Sequence, residues 1–246
     1  MPKKTESWLR TLLHSFIPKP RFLLIMLLDF IFLFLLANAA YFLEYGINQA
    51  AAIVGKNKIS DLATTSLTQL EATTAAMQSF FNALYLYAFL FVLFAFLMIV
   101  IFQGIVYAVL LGKKPDLNYF KNFFLANLIW IPAVLILFFA IFKLFKENVM
   151  ISLFMLALLL TIYFTNILYI LLAKRGKVFK SIKTALQLGV EELYIFIALV
   201  IAGIAAYASN FIALLGMPAA PIIAAIVLLY CLAWFRSYTA IMLDSN

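Results

Sequence analysis

From Phe80 to Leu111 the chain is apolar and carries no charge, and such a run has few places to go. About 20 apolar residues cross the ~30 Å of a bilayer's hydrocarbon, where a helix satisfies every backbone polar group internally. This run is longer than a perpendicular span needs, so its helix must tilt or project. The rest of the chain follows suit: 67% of residues are hydrophobic and 11% charged, against about half and a quarter in soluble domains. The chain reads as an all-α polytopic membrane helical bundle, a single integral membrane domain over residues 1–246.

Residues 1–21 place Lys3, Lys4, Arg10, Lys19 and Arg21 beside Trp8, Leu9, Leu12, Leu13, Phe16 and Ile17. That spacing predicts a basic amphipathic interfacial helix, ended by Pro18-Lys19-Pro20. Six transmembrane helices are expected at about 22–42, 84–111, 123–142, 149–173, 193–215 and 218–243. The start of the chain and Ala37-Asn38-Ala39 resemble a secretory leader with its cleavage site. The length of the run and Asp29 inside it favour retention.

Polar residues gather between Glu44 and Gln78, and Ile59, Leu62, Leu67, Leu70, Met77 and Phe81 recur near a helical period. An outer amphipathic segment is expected at about 59–80. A second basic amphipathic helix is expected after the fourth span, with Lys174, Arg175, Lys177, Lys180 and Lys183. Its apolar stripe is Val178, Phe179, Ile182, Leu186 and Val190. With six spans, fourteen of the 18 Lys and Arg residues fall on one side. The positive-inside rule makes that side, and both termini, cytoplasmic, in a multi-pass protein of the cell membrane.

The charge of +8 therefore points to anionic lipid of the inner leaflet rather than nucleic acid. A protein partner or oligomer stays open. One Cys, Cys231, and one His, His14, cannot make a disulfide, CxxC or HExxH within the chain. No catalytic residue, metal or cofactor is expected, and the chain is not expected to be an enzyme.

Tyr107, Tyr169 and Tyr238 end the even-numbered spans, each followed by an apolar tail. The spacing is compatible with three helical hairpins around a pseudo-threefold axis, although tyrosine is common at any membrane interface. With the basic stretch Phe179-Lys180-Ser181-Ile182-Lys183-Thr184-Ala185-Leu186 and the ending Trp234-Phe235-Arg236-Ser237-Tyr238-Thr239-Ala240, the arrangement resembles prokaryotic six-span membrane-domain families of unassigned role. One is the membrane domain joined to some glycerophosphodiester phosphodiesterases. The resemblance concerns the membrane part and implies no phosphodiesterase activity.

Charges inside the spans mark the candidate site. Asp29 and Arg236 each lie seven residues in from the inner boundary, ~10 Å deep at 1.5 Å per residue. Equal depth and opposite sign predict an ion pair joining the first span to the last. Gln103, Asn127, Thr165 and Asn166 lie at similar depth, with Glu191 and Glu192 opening the fifth span. This polar layer is either hydrogen-bonded glue between helices or a cytoplasmic vestibule. In the vestibule Asp29 or Glu191 would be a proton or cation site and Arg236 an anion or headgroup contact. The first alternative means a membrane-organising, lipid-interacting or accessory protein, the second a small-solute or ion transporter or channel.

Overall fold

The computed structural model describes residues 20–56, 67–213 and 220–244, together with Leu12, Ser15 and Phe16. Among them there is no strand. The helices are α1 (Pro20–Lys56), α2 (Leu67–Met98), a π-helical turn (Ile99–Gln103), α3 (Gly104–Leu111) and α4 (Leu117–Leu144). They continue with α5 (Glu147–Arg175), α6 (Val178–Glu191), α7 (Leu193–Ala213) and α8 (Ala220–Met242). Five stretches are long and apolar enough to cross a membrane: Pro20–Ala52, Glu71–Leu111, Leu117–Leu144, Val149–Arg175 and Ala220–Met242. A sixth follows if α6 and the start of α7, bent by 82° at their junction, count as one. The chain is a multi-pass membrane helical bundle.

The first span is longer than its hydropathy suggested. Helix α1 runs on through Gln49-Ala50-Ala51-Ala52 to Lys56, because alanine is the strongest helix former and no proline intervenes. Of the expected outer segment, residues 59–66 lie outside the described residues, and 67–80 are continuous with α2. The stretch Glu71–Leu111 has 41 residues, ~60 Å of helix and about twice the hydrocarbon thickness. It meets the expectation of a helix too long for a perpendicular crossing.

The described residues form two compact units, one comprising residues up to Phe30 and from Val100 onward, the other Ile31–Ile99. The second is a pair of helical segments in which Gly46 of α1 lies against the Tyr87 ring of α2; a Cβ on Gly46 would come within 2.8 Å of it. Its outward aromatics, among them Phe42, Tyr85 and Phe89, are exposed. Such apolar surface belongs against lipid.

In the first unit α5 is the innermost helix, with Ile167, Leu168, Ile170 and Leu172 sealed from solvent. Helix α4 packs on it through Phe123, whose ring centre lies 5.3 Å from that of Tyr169, buries Ala126 and turns Ile136, Phe139 and Phe142 outward. Pro132 lies inside α4, which continues to Leu144. Two of the three expected hairpin repeats share one joint. Helices α3 and α5 each end on a glycine in the left-handed region, Gly112 (φ 65°) and Gly176 (φ 64°), a conformation that a side chain disfavours. A basic loop and a new helix follow each. In the first, Asp116 caps α4 by accepting from Tyr119 N at 2.7 Å, satisfying one of the free N–H groups of the first turn.

Most of the N-terminal amphipathic segment, His14 included, lies outside the described residues. Leu12 and Ser15 are helical and buried. Trp234 Nε1 donates to Ser15 Oγ at 2.8 Å, and the Phe16 ring stacks on Trp234 with centroids 4.4 Å apart. The segment therefore touches α8 with part of its length.

Helix α6 buries its small residues rather than its apolar stripe. Ser181, Ala185 and Gly189, spaced by four, are the buried residues. Phe179, Leu186 and Val190 of the apolar stripe point outward. The small residues allow close approach: a Cβ on Gly189 would come within 2.3 Å of the Phe164 ring. In hydrocarbon large apolar side chains gain little by facing protein rather than lipid, and small residues mark helix contacts.

Candidate functional site

Arg236 stands on α8 six residues before the helix ends at Met242. Its Nη1 donates to the Asp29 carboxylate, and the pair's side chains are 12% and 4% exposed respectively. Nη2 donates to Gln103 Oε1 at 3.2 Å, and the guanidinium lies 5.7 Å from the centre of the Tyr107 ring. One cation thus meets a carboxylate, an amide oxygen and an aromatic face, the surroundings that offset removal of a guanidinium from water.

Two of these partners depend on the π-helical turn Ile99–Gln103. Gln103 is its last residue, and Tyr107 follows by four on α3, so both side chains share a helix face. The carbonyl of Gly104, just after the turn, accepts from Tyr119 Oη of α4 at 2.8 Å. Single-turn π segments recur at functional sites, because the wider turn redirects side chains and frees backbone groups.

From Tyr107 the polar contacts pass from helix to helix. Its hydroxyl donates to Asn166 Oδ1 of α5 at 2.7 Å, and Asn166 Nδ2 donates to Thr239 Oγ1 of α8 at 2.8 Å. Since α8 also carries Arg236, which returns to Gln103, the contacts close a ring through α3, α5 and α8. Beside it Tyr169 donates to Asn127 of α4, whose Nδ2 donates to the Phe123 carbonyl at 2.8 Å. The Tyr107 and Tyr169 rings meet edge to face, 5.4 Å apart. Trp130 Nε1 donates to Thr165 Oγ1 at 2.8 Å.

A second set of latches runs in the same sequence nearer the helix ends. Lys113, just past α3, donates to the carbonyls of Ala173 (2.8 Å) and Lys174 (2.9 Å) at the end of α5. Lys174 pairs with Asp244, just past α8, at 2.6 Å. Cations at helix C-termini are favoured by the helix dipole. Helices α3, α5 and α8 are thus tied in turn, and Arg236 ties α8 to α1.

No known family, characterised protein or solved structure matches this chain. The site must therefore be judged on its chemistry. Asp29, Arg236, Gln103 and Asn166 come together, and Asn127 joins through Tyr169. Glu191 does not: it is exposed at the end of α6 and accepts from Gln187 Nε2 at 3.0 Å. Its neighbour Glu192 is the buried one. Among the described residues no three His, Cys, Asp or Glu side chains converge to hold a metal.

The hubs that composition did not single out are Tyr107, Tyr169 and Thr239. A signal existed, because Gln103 precedes Tyr107 by four and Asn166 precedes Tyr169 by three, placing each pair on one face. Tyr107→Phe removes one donor to Asn166 while keeping the ring under Arg236. The expected loss is about 0.6 kcal/mol, typical of interhelical hydrogen bonds in membranes, read as a small shift in denaturation by SDS.

Proposed function

We propose that the chain is a six-span, non-catalytic membrane protein with a membrane-organising, lipid-interacting or accessory role, and with both termini in the cytoplasm. The proposal includes kinship with the six-span membrane-domain families that the sequence resembles. The observation that carries it is the linkage of the polar layer: hydrogen bonds join Arg236 to Asp29 and Gln103, Tyr107 to Asn166, and Asn166 to Thr239, so each of these groups has a partner on another helix. Groups so engaged act as glue between helices rather than as ligands for a passing solute. The bias of Lys and Arg supports the orientation.

A transporter or channel is the second reading. The residual 12% exposure of Arg236 beside a π-helical turn favours it. Water access separates the two. In a Cys231→Ser background, single cysteines at Gln103, Asn166 and Thr239 are exposed to a membrane-impermeant thiol reagent from the cytoplasmic side. Lys180→Cys is the accessible control. We expect rapid labelling of the control and none of the three in folded protein. Rapid labelling of all three means a hydrated vestibule and overturns the glue reading.

A further inference from the structure

We infer that the junction of α4 and α6 is a binding site for the headgroups of anionic phospholipids. This deepens the lipid-interacting reading and rests on it.

Helix α6 has three faces. Ser181, Ala185 and Gly189 lie against the bundle; Phe179, Leu186 and Val190 are 78%, 45% and 68% exposed; Lys180 and Lys183 are exposed on the remaining side. Exposed apolar and basic faces side by side on one short helix match the boundary between acyl chains and headgroups. Neither bulk water nor the hydrocarbon centre suits both.

The start of α4 repeats the combination. Leu117 is 87% exposed, with Lys114 and Lys121 exposed on either side of it in sequence. The two basic segments are neighbours: a Cβ on Gly176, just before Lys177, would lie 3.6 Å from Asn122 Nδ2, just after Lys121. Five exposed lysines thus share one edge of the bundle. Among the described residues no carboxylate lies within ion-pair distance of any of them. The carboxylates of their own elements are engaged elsewhere, Asp116 in capping Tyr119 N and Glu191 in accepting from Gln187.

Unpaired ammonium groups in a row beside apolar side chains fit an array of phosphates whose acyl chains cover Phe179, Leu186 and Leu117. The contrast with Lys113 and Lys174 is instructive. Those two are consumed by helix ends and Asp244, and these five are left facing outward.

The test uses the full chain in phosphatidylcholine nanodiscs. Trace phosphatidylglycerol or phosphatidylcholine, spin-labelled on the acyl chain, reports relative association through the motionally restricted fraction. We expect phosphatidylglycerol to be preferred several-fold, with the preference shrinking as salt rises. Lys177→Gln/Lys180→Gln/Lys183→Gln should cut the preference several-fold, since each lysine near a surface contributes about five-fold, with Lys114 and Lys121 retaining the remainder. The corresponding three-arginine variant should keep the preference, and Lys143→Gln/Lys146→Gln should leave it unchanged. Equal association of the two lipids with the native chain overturns the proposal. So does an undiminished preference in the glutamine variant, or loss from that variant of a stoichiometric protein partner. Thiol labelling at Gln103 and Asn166 is independent of these lysines, so failure here leaves the glue reading standing.

Discussion

Arg236→Met is expected to destabilise the protein by about 3–5 kcal/mol, read as unfolding at lower SDS in a mild-detergent titration. Removing one member of a buried ion pair leaves the other charge unpaired, which accounts for most of that loss. Here the residue left behind is Asp29, with a side chain 4% exposed, and Gln103 Oε1 loses its donor as well. Asp29→Leu should be similarly damaging, because Gln103 and the Tyr107 ring cannot neutralise a guanidinium. The double variant Asp29→Leu/Arg236→Met is expected to recover most of the stability, since apolar replacement of both partners is often near neutral. The charge swap Asp29→Arg/Arg236→Asp should recover part of it, limited by Gln103 and Tyr107, which are placed for a cation on α8. If the single losses simply add in the double variant, the two residues are not coupled and they do not tie the first helix to the last.

This pair was the most legible feature of the sequence. Only one cation lies well inside an apolar run, and one carboxylate lies at matching depth in the first span, so hydrocarbon leaves them little choice but each other. The wider network was less legible. A π-helical turn adds one residue within a run that is apolar all round, and periodicity cannot show a slip where every face is hydrophobic. The tyrosines 107, 169 and 238 stood out by spacing, but tyrosine also belongs at interfaces. Their near-complete burial is a consequence of packing around α5. Glu191 and Glu192 differ by one position at a sharp helix break, and the direction of that break decides which is covered. For α6 the apolar stripe was visible, yet hydrophobicity does not distinguish lipid-facing from protein-facing surface in a membrane. The spacing of Ser181, Ala185 and Gly189 was the informative pattern.

Gly189→Ala sets two effects of known sign against each other. In a helix interior alanine is favoured over glycine by about 0.8–1.0 kcal/mol, so propensity alone forecasts a gain. Packing forecasts the reverse. The added Cβ would sit 2.3 Å from Cε1 and 2.7 Å from Cδ1 of Phe164, and α6 is not free to back away. The one Tyr163 O–H is shared between the carbonyls of Gly189 (3.0 Å) and Glu192 (3.1 Å), which holds the end of α6 to α5. Overpacking of this kind costs about 1–3 kcal/mol, and with the backbone clamped we expect it to win, for a net loss of about 1–2 kcal/mol. Phe164→Ala in the same chain should remove the obstruction, so that Gly189→Ala becomes neutral or stabilising in that background. A gain from Gly189→Ala alone would mean that α6 is not seated on α5 at this point. The seating also orients the basic edge of α6, so Gly189→Ala should weaken the preference for anionic lipid without altering a single charge. Restoration of that preference by Phe164→Ala would tie the lipid-facing chemistry of α6 to a contact inside the bundle.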